Sequence, residues 1–175
     1  MQKENPRYSR KHLMLIAFLS WLSMLGFDFF LHAGLLASLY VRPSPFLLPP
    51  LKAFQLIPVG YLSFLLLAIL LIWLMFQLKI VGSRPGFIFG LRIGALAWGA
   101  FTLGLLSIST ANIYLLIGWF LGQTVELAIA GAVIGNGFAQ ERLARLSVKV
   151  IVFFILCIII AVTLQTLGLA PATRL

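Results

Sequence analysis

Five apolar runs, each long enough to cross a bilayer, occupy most of this chain and leave little between them. A span of about 20 apolar residues matches the ~30 Å hydrocarbon core, and inside that core only a helix satisfies its own backbone. The runs lie at about 13–40, 57–78, 86–107, 113–134 and 148–167. The expected fold is an all-α membrane protein, a bundle of about five transmembrane helices forming one domain over residues 1–175. Only 10% of the residues are charged, against about a quarter in a soluble domain. So few charges cannot build a water-facing surface, and the mean hydropathy of +1.09 agrees. The partner common to the whole chain is therefore the lipid bilayer.

The net charge of +9 would suggest nucleic acid in a soluble protein. Here the basic residues flank apolar runs, which is how membrane proteins are oriented, and no nucleic-acid partner is expected. With the N-terminus inside, the inner ends hold Lys3, Arg7, Arg10, Lys11, Lys79, Arg84, Arg142, Arg145 and Lys149. The outer ends hold Arg42, Lys52 and Arg174. That asymmetry predicts the N-terminus inside and the C-terminus outside, in an inner (cell) membrane. The first run is longer than a signal-peptide core and lacks an A-x-A-like cleavage site, so it reads as an uncleaved span. Cys157, the single cysteine, excludes an intrachain disulfide and reads as a small apolar side chain.

Between the first two runs, VRPSPFLLPPLKAFQ contains prolines 43, 45, 49 and 50, which forbid a continuous helix. The segment is expected along the interface or folded over helix ends. Pro58 is expected in the first turn of the second span, where its missing N–H costs nothing. Ser109 to Asn112 form a tight uncharged turn, Asn136-Gly137 reads as a helix stop, and AQERLARLSVK as helical with a Glu141–Arg145 pair.

Polar groups inside the spans are the candidates for function, because an ionisable side chain in lipid is costly unless protonated, paired or wet. Glu126 sits near the middle of GWFLGQTVELAIAGAVIG. Asp28 and His32, four residues apart, share a helix face and can form either a structural pair or a proton relay. Folding the hairpin about residues 109–112 sets Glu126 level with about residue 95. That is within one turn, or about 5 Å, of Arg92, so an Arg92–Glu126 ion pair is expected in the bundle interior. Gln123 shares the Glu126 face. Asp28, His32, Arg92, Gln123 and Glu126 are the polar positions that a transport site would use.

Gly118 and Gly122 continue into Glu126 and Ala130 at four-residue spacing, and Gly90 and Gly94 repeat the pattern on the third span. Such pairs let helix backbones approach closely. The second and fifth runs lack polar and small residues, so they are expected outside, with the first, third and fourth enclosing the polar centre. His12 and His32 lie on one helix about 30 Å apart, so a bis-histidine haem does not fit. His12 is expected to be solvated. No metal cluster, phosphate loop or nucleophile–base constellation is present in the sequence, and neither a cofactor nor catalysis is expected.

The segments GLRIGALAWGAFTLGLLSIST and GWFLGQTVELAIAGAVIG resemble small uncharacterised bacterial inner-membrane families of about four spans. The resemblance rests on the glycines, Trp119 and Glu126. It implies a bacterial inner-membrane protein and no particular activity. Two functions fit the sequence. One is an accessory, structural or homo-oligomeric subunit with a membrane-protein partner. The other is a carrier or channel for protons or a small solute, using Asp28/His32 and Arg92/Glu126.

Overall fold

The computed structural model describes residues 8–42, 44–140 and 142–171. Lys3, Arg7, Pro43, Glu141 with its expected Arg145 pairing, and Arg174 lie outside them. Five long helices cross the molecule, each apolar and long enough to span a membrane. The chain is a multi-pass, all-α membrane bundle. In order, α1 is Arg10–Phe30, continued by a π-helical segment at Leu31–Leu35 and by the short α2 at Ala37–Tyr40. Then follow α3 (Pro50–Gln77), α4 (Ser83–Ile108), α5 (Ile113–Ala139) and α6 (Ala144–Thr166).

Local chemistry sets most of the boundaries. The Ser9 hydroxyl accepts from the His12 N–H and starts α1, and the Asn112 side chain accepts from the Tyr114 N–H, 2.8 Å away, and starts α5. Gly82 has φ +102°, which glycine adopts without strain, and its N–H donates across to the Gly135 carbonyl at 2.7 Å.

Three boundaries differ from expectation. The helix α3 begins at Pro50, not near Ile57, so Pro58 lies inside the helix. The run from Leu51 onward has no breaker before Pro58, and proline at a helix start is favoured. Residues 51–60 are all exposed. The helix α5 runs past Asn136-Gly137 to Ala139. Its last carbonyls find donors on the N-terminal segment: Tyr8 Oη–H donates to Phe138 O at 2.8 Å, and His12 Nε2 lies 3.0 Å from Gly137 O. His12 is therefore a half-buried cap stacked on Tyr8, not a solvated side chain. Finally, Gln140, Arg142 and Leu143 are not helical, and α6 starts only at Ala144.

The central pair is α1 and α5. Half of the most apolar stretch of α5 is buried, against 11% of that of α4. Ile16, Leu19 and Met24 of α1 meet Leu127, Ala130 and Ile134 of α5. Leu71 and Met75 of α3 and Leu146 and Val150 of α6 complete that core. The helix α6 packs along α1, where Gly26 brings the backbones together: a Cβ there would lie 3.0 Å from Phe154 Cα. The helix α4 packs along α5.

This arrangement overturns the expected order of layers. The third span (α4) is peripheral, while the second and fifth (α3 and α6) both contribute to the core. Glycine marks where two backbones approach, not which helix is central. The apolar residues of α3 and α6 are equally at home against lipid and against protein.

Candidate functional site

The end of the bundle nearest the 41–49 connection carries a chain of polar side chains. In the π-helical segment the Leu36 N–H bonds back to Leu31 O, five residues earlier. That wider turn delays the helical phase and returns Tyr40 over His32. The Gln165 amide of α6 donates to the Ala33 carbonyl at 2.8 Å, holding the segment from the other side. Gly122 and Gly118 of α5 leave the space that Leu31 and Leu36 fill: a Cβ at Gly118 would lie 2.8 Å from Leu36 Cδ2.

Within this frame Trp119 Nε1–H donates to the Tyr40 hydroxyl oxygen. Indole is a donor only, so the Tyr40 O–H is left for His32 Nδ1, 2.5 Å away. In a neutral imidazole the proton then sits on Nε2, which lies 3.0 Å from Asp28 Oδ1. Gln123 Nε2 is 3.3 Å from the same nitrogen. Because Nε2 already carries a proton, the satisfied amide orientation turns the Gln123 oxygen toward it. The result is a Trp119–Tyr40–His32–Asp28 chain across α5, α2 and α1. The His32 and Asp28 side chains are 26% and 13% exposed, so the chain reaches the surface at this end.

Tyr40 and Trp119 were not among the candidates drawn from the sequence. Straight α-helical spacing does not place residue 40 over residue 32, and the π-helical segment carries no sequence signature that the spacing argument could read. Phe46, from the proline-rich connection, tilts against Trp119 with centroids 6.1 Å apart, so that connection folds over the helix ends.

Glu126 lies deeper. The contacts Gly122–Leu31 and Gly137–Ile16 set the α1–α5 register, and interpolation puts Glu126 level with Phe27. Its residue is 0% exposed, and neither carboxylate oxygen has a hydrogen-bond partner. Gln123, one turn away, is turned toward His32 and does not bond the carboxylate. The stripe of Gly118, Gly122, Glu126 and Ala130 is thus the face of α5 that meets α1.

The expected Arg92–Glu126 ion pair is absent. Gly86, Gly90 and Gly94 of α4 pack on Gly131, Leu127 and Thr124 of α5, which puts Glu126 level with residues 91–92, not 95. The depth therefore matches, but the face does not. Arg92 is two residues from Gly90, about 200° around the helix, and it is exposed on the side away from α5. Among the described residues it makes no ion pair or hydrogen bond.

One shallow cavity of about 190 Å³ opens toward the basic end, lined by Ser23, Asn136, Lys149 and Phe153 among others. Neither Asp28 nor Glu126 lines it. Among the described residues no group of three His, Cys, Asp or Glu is placed to hold a metal. No protein-family model matches this chain, and no curated protein or solved structure is significantly similar to it.

Proposed function

We propose that this chain is a small, non-catalytic helical-bundle subunit that packs in or against a larger assembly, or against copies of itself, in a bacterial inner membrane. The single observation that carries this reading is that Glu126 is sealed inside the bundle. Asp28, which reaches the surface, is already paired with His32, and neither carboxylate lines the shallow cavity at the basic end. A carrier must expose its binding groups to water from one side or the other. The bacterial setting rests on the resemblance of the α4–α5 hairpin to small inner-membrane families.

A second reading, a carrier or channel for protons or a small solute, is favoured by one observation: the Glu126 carboxylate has no partner. Native mass spectrometry of the protein gently extracted from its own membranes separates the two, together with an absorption spectrum. The subunit reading expects a stoichiometric companion, either another protein or further copies. It fails if the chain runs alone and Glu126→Gln abolishes a proton or solute flux while leaving the fold intact.

A further inference from the structure

The exposed face of α4 opposite its glycine seam holds Arg92, Leu96, Ala100 and Leu103 on one stripe. Leu96 and Leu103 are 74% and 68% exposed, as residues facing lipid or another helix are. An arginine on such a stripe is out of place. It lies eight residues, about 12 Å, beyond Arg84 at the basic end and about 24 Å from Ile108 at the other. The first distance is farther than an extended arginine side chain reaches, so snorkelling does not bring the guanidinium to the level of the Arg84 backbone. A charge held at this depth needs a counter-charge.

Among the described residues this chain does not supply one. It has four acidic residues: Glu4, Asp28, Glu126 and Glu141. In the sequence Glu4 precedes the first apolar run, and Glu141 lies between the fourth and fifth. Asp28 is bound to His32, and Glu126 is fully buried between α1 and α5. In a second copy Asp28 lies near this depth, but it is already engaged by His32 and its side chain is only 13% exposed, so it is a poorer match than an unpaired carboxylate. A headgroup phosphate would meet Arg92 only where the bilayer thins.

We infer that the Arg92 face of α4 docks a transmembrane helix of a different protein, one that carries an aspartate or glutamate at the depth of Arg92. The inference rests on the subunit reading and narrows it to a hetero-partner. The peripheral place of α4 suits this role. Its glycine seam anchors it to α5 and leaves the opposite face free. The arginine fork binds a carboxylate through two parallel hydrogen bonds, so the pair would set register as well as affinity.

The test uses the full chain in its own membranes, with a photo-crosslinking amino acid in place of Leu96. The expected product is a crosslink to a membrane protein whose attached helix contains an acidic residue. Arg92→Glu should reduce that product about tenfold. Reversing the partner's acidic residue to lysine in the Arg92→Glu background should restore it. An Arg92→Gln variant that keeps its helicity and thermal stability shows that the loss is not misfolding. Crosslinking only to a second copy, only to lipid, or to a partner regardless of residue 92 overturns the inference. Those outcomes leave the subunit reading standing if native mass spectrometry still finds companions. A solitary chain overturns both.

Discussion

Glu126 has no counter-charge to lose, and that fixes what its replacement does. Breaking a buried ion pair costs about 3–5 kcal/mol, because the abandoned charge stays buried. Here no cation faces the carboxylate, so Glu126→Gln keeps the shape and removes an uncompensated group. The expected outcome is a stability within about 1 kcal/mol of the parent or above it, measured by thermal unfolding in detergent. A loss of 3 kcal/mol or more would mean that the carboxylate has a partner after all. Tyr40 behaves in the opposite way. Its hydroxyl accepts a hydrogen bond from Trp119 and donates one to His32, so Tyr40→Phe leaves two half-buried groups unmatched. A loss of about 1–3 kcal/mol is expected. In a double-mutant cycle, Trp119→Phe should add less in the Tyr40→Phe background than in the parent, and strict additivity would deny the network. At this scale the sequence was half legible. Four-residue spacing brought Asp28 and His32 together, because that rule holds in any α-helix. It missed Tyr40 because the π-helical turn breaks the same rule. It also misjudged Arg92, since a level estimate says nothing about the face.

Among the elements, the α4–α5 hairpin is the most constrained. A Cβ at Gly90 would overlap the Leu127 carbonyl, which is backbone and cannot rotate aside. Gly90→Ala must therefore push the two helices apart. A loss of about 1–3 kcal/mol is expected, as for other overpacked contacts. Gly104, on the same helix, has nothing within 4 Å of its ideal Cβ. Gly104→Ala should be neutral or stabilise by up to about 1 kcal/mol, because it only removes chain flexibility. Equilibrium unfolding in mixed micelles compares the two, and equal effects would show that the seam does not hold the hairpin. The sequence showed small-residue pairs on both helices but not the extent of the seam: Ala97 and Gly104, farther along α4, are exposed. The actual seam runs toward the other end, through Gly82 and Gly86, where the Gly82–Gly135 hydrogen bond closes it. Span existence was easy to read, since apolar length alone requires a helix in lipid. Boundaries were harder: Pro58 and Gly137 look like breakers, yet both are accommodated within helices.

For the whole molecule, hydropathy could not order the layers, because lipid and protein interior are equally apolar to a leucine. Packing order came from geometry: α1 and α5 at the centre, α3 and α6 against them, α4 outside. Orientation is a separate question, and charge gives the expectation. One end of the described bundle gathers Arg10, Lys11, Lys79, Arg84, Arg142, Arg145 and Lys149, while the other holds Arg42 and Lys52. Basic residues at span ends are retained on the cytoplasmic side, so the Arg10 end should face in and the 109–112 turn should face out. Single cysteines report this directly. Cys157 is buried, 6% exposed, and provides a silent background. Thr110→Cys, in the exposed turn, should react with a membrane-impermeant maleimide in intact cells. Ser83→Cys, exposed at the basic end, should react only after the cells are made permeable. The reverse pattern would put the basic end outside. The charge asymmetry would then need another cause, and a cluster of seven cations facing outward would point to an anionic partner on that side of the membrane.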